Sequence, residues 1–81
     1  MYYVYVLQSR KDDKFYIGST SNVESRLKFH NAGQQRSTRH RIPFEVVLVE
    51  KYESKGEALK REKQIKSYKG GEAFRKLVKG M

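Results

Sequence analysis

The stretch YYVYVLQSRKDDKFYIGST, residues 2–20, decides the fold. Residues 2 to 8 are aromatic and β-branched, Asp12 and Asp13 carry turn chemistry, and Phe15 to Thr20 resumes the strand character. The segment therefore reads as a β-hairpin. A turn centred near Arg10 and Lys11 sets Tyr5 opposite Tyr16 on one face of the sheet. Strand tyrosines ordinarily serve half-buried packing. Two phenols on one face, beside a metal or a basic group, can also relay a proton from water.

Outward from the hairpin, Ser21 and Glu24 form a capping-box pattern. Val23, Leu27 and His30 follow at helical spacing until Asn31 and Gly33, giving a helix over about residues 22 to 31. The segment holding Arg36, Ser37, Thr38, Arg39, His40 and Arg41 has no apolar period and ends at Pro43, which predicts an exposed basic loop. A third strand runs from Phe44 to Tyr52. Its unbroken run Val46-Val47-Leu48-Val49 predicts cover on both faces and a place at the centre of the sheet. Ser54 and Glu57 form a second capping box, and Ala58, Leu59, Glu62 and Ile65 share one side of a helix reaching about Tyr68. Gly70 and Gly71 interrupt it, and Phe74, Leu77 and Val78 predict a short last helix. The expected class is α/β in the α+β sense: a three-stranded, mainly antiparallel sheet flanked by helices, in the order β-β-α-β-α-α.

A chain of 81 residues buries only about 60% of its unfolded surface and supports one small core, so residues 1–81 read as one domain. Eighteen basic against nine acidic residues give a net charge of +9, spread along the chain. A polyanionic partner follows, with a merely solubilising surface as the alternative. There are no cysteines, which excludes disulfides and thiolate-held zinc. The apolar run at the N-terminus lacks a basic lead-in and is too short for a membrane span, so a cytoplasmic protein without membrane attachment is expected.

Among residues able to carry chemistry, Glu24 and Glu57 have a sufficient role as helix caps. Glu62 differs, because it lies beside the apolar stripe, where a carboxylate needs a partner. A salt bridge to a neighbouring Lys or Arg and a metal site both satisfy it. Arg26 and His30 lie one helical turn apart, on the side of the helix that meets the sheet. An arginine fork suits the equatorial oxygens of a phosphodiester under attack, while a histidine at a helix end also packs or caps carbonyls.

The triplets Tyr3-Val4-Tyr5 and Tyr16-Ile17-Gly18, with Tyr5 and Tyr16 eleven positions apart, resemble the two halves of the motif that names the GIY-YIG endonuclease superfamily. Arg26 stands ten residues after Tyr16 and His30 one turn later, as in members of that family. Glu62 sits in a Glu-Ala-Leu-x-x-Glu helix resembling the family's metal-binding helix. The likeness spans nearly the whole chain. It is strongest to small stand-alone bacterial members, and more distant to the cleavage domain of excision-repair nucleases and to homing endonucleases.

The resemblance implies an endonuclease in which Glu62 holds one Mg²⁺ or Mn²⁺, with substrate helping to complete its shell. Tyr5 or Tyr16, assisted by His30, would deprotonate water, and Arg26 would stabilise the developing charge. Arg36, Arg39, Arg41, Lys63 and Lys66 would contact flanking phosphates, of DNA more than RNA. Three positions depart from the pattern: Tyr3 replaces the first glycine, Ser19 stands where repair-type members place lysine, and Phe74 stands where many members carry asparagine. The last motivates an alternative, a nucleic-acid-binding module with little or no turnover. A third reading is an interaction domain of a larger repair or RNA–protein assembly.

Overall fold

A computed structural model describes residues 1–68 and 71–79. Strands β1 (Tyr2–Ser9) and β2 (Phe15–Thr20) form the hairpin, followed by helix α1 (Val23–Asn31), a single 3₁₀ turn (Arg39–Arg41), strand β3 (Phe44–Tyr52), and helices α2 (Lys55–Ser67) and α3 (Glu72–Lys79). The order is β-β-α-β-α-α, as the sequence predicts, and the sheet is antiparallel throughout, in the order β2-β1-β3. Gly70 lies outside the described residues. Among those described, no helix is long and apolar enough to cross a membrane.

The central strand is β1, not β3 as the apolar run predicts. Val4, Tyr5, Val6 and Leu7 are all buried because β1 is covered on both faces and paired on both edges. The physical reason for the misreading is a bulge. Val6 pairs with Leu48 but Leu7 pairs with Val46, so Val47 is an extra residue. Val46 then packs with Tyr5 and Leu7 on one face, Val47 and Leu48 pack on the other, and Val49 is exposed. Four consecutive apolar residues thus serve an edge strand whose alternation is broken once.

Each face has its own core. On one, α1 packs Val23, Leu27 and His30 toward Tyr5, Leu7 and Phe44. On the other, α2 and α3 bring Ala58, Ile65 and Phe74 onto Val4, Val6 and Leu48. Burying a side chain such as Ile65 contributes about 1.5–3 kcal/mol relative to leaving it exposed. Helix α2 starts as predicted, with the Glu57 N–H donating to Ser54 Oγ at 3.2 Å. Arg61 then ties α2 to β3 by donating to both carboxylate oxygens of Glu50 at 2.8 and 3.1 Å, which holds that carboxyl below its usual range.

Helix α1 starts one residue later than the capping-box pattern implies. Asn22 is the cap, its Oδ1 accepting the Ser25 N–H at 3.0 Å, and Glu24 is left exposed, 3.8 Å from Lys28. At the other end, Asn31 does more than stop the helix. Its amide donates to the Phe44 carbonyl at 3.1 Å and its oxygen accepts the Phe44 N–H at 2.7 Å, pinning the start of β3 to α1.

Candidate active site

The hairpin register builds the centre of the site. Tyr5 pairs with Gly18, and Tyr16 pairs with Leu7, so the two tyrosines are diagonal neighbours and not directly opposed. The turn lies one residue further along than predicted, spanning residues 10–13 between Ser9 and Lys14, and Asp13 takes a left-handed φ of 61° within it. Moving a turn by one residue moves each partner by two, which preserves the shared face. The Tyr5 and Tyr16 rings lie 6.4 Å apart, inclined at 32°.

Gly18 has a specific task here. A Cβ at that position would stand 2.5 Å from the Tyr5 hydroxyl and 2.7 Å from its Cζ, so the phenol occupies the space a side chain would fill. The glycine of the second triplet lets the buried tyrosine cross the strand beside it.

His30 completes this cluster from α1. It is fully buried, with its ring 4.7 Å from that of Tyr16. Its Nε2 lies 3.4 Å from the Tyr5 hydroxyl and its Nδ1 3.2 Å from Thr38 Oγ1. The Thr38 hydroxyl donates to the Gln35 carbonyl at 3.5 Å, and the Gln35 amide donates to the Tyr16 hydroxyl at 3.3 Å. One tautomer satisfies the chain: Tyr5 O–H donates to Nε2, Nδ1–H donates to Thr38, and Thr38 O–H donates to Gln35. Burial, and then the charge of Arg26, lowers the pKa of His30 and keeps the ring neutral. Burial, followed by the neighbouring Tyr16, raises that of Tyr5; Arg26 opposes this shift and Glu62 reinforces it.

Those two charges approach from opposite sides of β2. Arg26 is exposed on α1, its guanidinium 5.5 Å above the Phe29 ring, beside an open hollow of about 350 Å³ that Thr20, Asn22 and Ser25 also line. Glu62 belongs to α2, on the other face, where the alternation of β2 points Ser19. The Ser19 hydroxyl donates to Glu62 Oε1 at 2.7 Å, and Lys66 Nζ pairs with Oε2 at 2.7 Å. The site therefore wraps around an edge strand, with the phenol–imidazole cluster on one side and the carboxylate on the other. Gly18, next to Ser19 in β2, is the residue against which the Tyr5 phenol packs.

Of the predicted basic residues, Arg36, Arg39 and Lys63 are exposed, and Lys66 is half-exposed while paired with Glu62. Arg41 is placed differently from the exposed loop the sequence predicts. It donates to the Phe15 carbonyl at 3.3 Å, stacks 5.6 Å over Phe44, and holds its Nε 3.2 Å from Asp12 without the alignment of a hydrogen bond. It clamps the hairpin turn to the 3₁₀ segment. Thr38 in that segment is also buried.

Sequence reasoning does not find Ser19, Gln35 or Thr38 as parts of the site. The alternation of β2 would have placed Ser19 on the α2 face. Gln35 and Thr38 sit in a segment without periodicity, and nothing local marks them.

Among the described residues, no group of three or more His, Asp or Glu side chains could hold a metal. Glu62 is compatible with a hard divalent ion as a lone protein ligand. Each of its oxygens has one partner and keeps a free lone pair, and its side chain is 17% exposed. Water and phosphate oxygens would supply the other ligands.

The family model described as the GIY-YIG catalytic domain matches residues 1–73. A UPF0213 protein of Natronomonas pharaonis is 48% identical over 67 residues, covering 82% of this chain and 78% of that protein. A UPF0213 protein of Staphylococcus haemolyticus is 43% identical over 68 residues, covering 83% and 82%. The solution NMR structure of a UPF0213 protein from Bacillus halodurans is similar with 34% identity and a TM-score of 0.49, over 91% of this chain and 92% of that one.

Proposed function

The chain belongs to the GIY-YIG catalytic-domain family, a nuclease family, and from that premise we propose that it is a metal-dependent endonuclease hydrolysing nucleic-acid phosphodiesters. Its substrate in this reading is DNA of branched or damaged structure, met in repair or recombination. The observation that carries the proposal is the convergence of a neutral phenol–imidazole pair, an exposed guanidinium and a partly exposed carboxylate around Gly18.

Water attacks phosphorus, the bond from phosphorus to the leaving 3′ oxygen breaks, and a 5′-phosphate results together with a 3′ oxyanion that takes a proton from solvent. Tyr5 cannot act as a standing phenolate, because its surroundings favour the protonated form. It can act as a relay: its oxygen takes the proton of the attacking water as its own proton passes to His30 Nε2. The Nδ1–H bond to Thr38 holds the tautomer that makes Nε2 the acceptor. Arg26 binds the equatorial oxygens and neutralises the charge that grows on them. Glu62, oriented by Ser19, would hold one Mg²⁺ or Mn²⁺, which when bound supplies Lewis-acid polarisation of the phosphate. Arg36, Arg39 and Lys63 would take flanking phosphates.

The test is cleavage of labelled single-stranded, duplex, flapped and branched DNA and RNA with Mg²⁺ or Mn²⁺, by wild type and by Glu62→Gln. Cutting that needs metal and is lost in Glu62→Gln, with binding retained, is expected. Binding without cutting by either protein would refute the proposal in favour of a module that has lost turnover.

A further inference from the structure

Beyond the catalytic residues, the α2 face of β2 continues into a second feature. Ser19, Ile17 and Phe15 alternate along that face, and opposite them come Glu62 beside Ser19, then Lys66, then Phe74 and Arg75 of α3. At the Phe15 end is an open cleft of about 410 Å³, floored by Phe15, Ile17 and Phe74 and rimmed by Lys14, Lys66 and Arg75, with Asp13 its one acidic residue. That volume lies within the range of about 300–1,000 Å³ usual for small-molecule clefts. The Phe15 and Phe74 rings meet at 71° with centroids 4.9 Å apart, and Phe15 stays 36% exposed although it is a large aromatic at the start of an edge strand.

We infer that this cleft holds an unpaired nucleobase of the substrate, stacked on Phe15, with Lys14, Lys66 and Arg75 on the adjoining phosphates. The inference deepens the nuclease reading by assigning a substrate feature to the same site, and it rests on that reading for the location of the cut. An open aromatic face flanked by cations is what a single strand needs, because every base has a π-face and every linkage a charge. A base inside a duplex has both faces covered and cannot use it.

The connection to the chemistry is Lys66, which lines the cleft and also pairs with Glu62 at 2.7 Å. From Ser19 to Phe15 is four residues of strand, about 13 Å. A stacked strand advances ~3.4 Å per nucleotide along its axis and an extended one more. The stacked base therefore lies within about four nucleotides of the phosphate at Glu62. Substrates with unpaired nucleotides beside the cut, such as flaps or gaps, are favoured over continuous duplex. The aromatic at position 74, where many family members have asparagine, is the residue that props Phe15.

The experiment uses the whole protein in EDTA, so that no strand is cut, with short oligonucleotides carrying 2-aminopurine at successive positions. Wild type is expected to quench the fluorescence in one register, Phe15→Tyr to retain the quench, and Phe15→Leu to lose it. Loss of a single base–aromatic stack lowers single-strand affinity roughly 5- to 150-fold, while affinity for blunt duplex stays within about twofold. Equal single-strand binding by Phe15→Leu, or a parallel fall for single strand and duplex, overturns the inference.

A second measurement does not depend on Phe15. Lys14→Gln with Arg75→Gln lowers the log–log salt slope for single strands by up to about 1.4, and an unchanged slope overturns the assignment of phosphates to this rim. The two proposals fail separately. Stacking without cleavage would remove the nuclease and leave the cleft, whereas cleavage without stacking would remove the cleft alone.

Discussion

Replacing Gly18 by alanine tests the geometry on which the site depends. The added Cβ would meet the Tyr5 hydroxyl at 2.5 Å, Cζ at 2.7 Å and Cε1 at 3.2 Å, well inside van der Waals contact. The ring cannot easily retreat, because Tyr5 is only 2% exposed and lies on the central strand with the Tyr16 and His30 rings each 6.4 Å away. Overpacking of this kind costs about 1–3 kcal/mol, which for a domain of this size corresponds to a fall in Tm of roughly 4–24 °C. Taken alone, such a loss has many explanations, so the decisive measurement is a double-mutant cycle by urea denaturation. In a Tyr5→Leu background the phenol is gone, and Gly18→Ala should become neutral or stabilising by up to about 1 kcal/mol, since alanine loses less backbone freedom than glycine in a strand. Costs that add, with Gly18→Ala equally harmful in both backgrounds, would refute the claim that glycine is there to admit the phenol.

The other expectations concern protonation and the basic segment. Because folding lowers the pKa of His30 below its ordinary 6.5, the unfolded chain binds the proton more readily, so stability is fully present above about pH 6.5 and is lost as pH falls toward the folded value. Chemical denaturation across pH 4–8 of wild type and His30→Gln checks this, and an acid-side loss equal in both proteins would exclude His30 as its source. The cleavage rate should fall over the same window, because protonated Nε2 cannot accept the Tyr5 proton; a profile flat down to pH 5 would argue against the relay. Arg39→Ala should reduce the log–log salt slope for duplex DNA by up to about 0.9 with Tm unchanged. Arg41→Ala should instead destabilise the fold by about 1–2 kcal/mol through the lost hairpin clamp, and a large change in slope with no change in Tm would reverse that assignment.

What was legible in the sequence follows from the range of the interactions. The two strands of the hairpin, the Ser54–Glu57 cap and the bounds of β3 are set by residues within a few positions of one another, and they stand where the sequence puts them, although the hairpin turn is shifted by one residue. The shared face of Tyr5 and Tyr16 was readable for the same reason, since strand alternation tolerates an error in the turn. Strand order was not. Val46-Val47-Leu48-Val49 has the composition of a central strand, and only pairing with β1 reveals the bulge that accommodates it at an edge. Arg41 looked like its basic neighbours because its partners, Asp12, Phe15 and Phe44, come from two other elements. Thr38 and Gln35 were silent altogether, since their bonds to His30 and Tyr16 exist only once the segment after α1 folds back.

Two departures implied by the sequence resemblance, at Ser19 and Phe74, acquire a physical sense from their common placement. Ser19 and Phe74 both lie on the α2 side of β2, one at each end of the line that joins the carboxylate to the cleft. A lysine at position 19 would have brought a second cation to Glu62, which Lys66 already neutralises from the next turn of α2. Serine gives the carboxylate a short, uncharged donor. An asparagine at position 74 would have brought an amide to a site that is 3% exposed and packed among apolar side chains, where an unpartnered polar group costs on the order of 1–3 kcal/mol. Phenylalanine there docks α3 on the sheet and supports Phe15. Both substitutions are thus accounted for by what their neighbours require, and neither removes a group from the Tyr5–His30–Arg26 side of the strand. The proton relay proposed for that side therefore draws on neither residue.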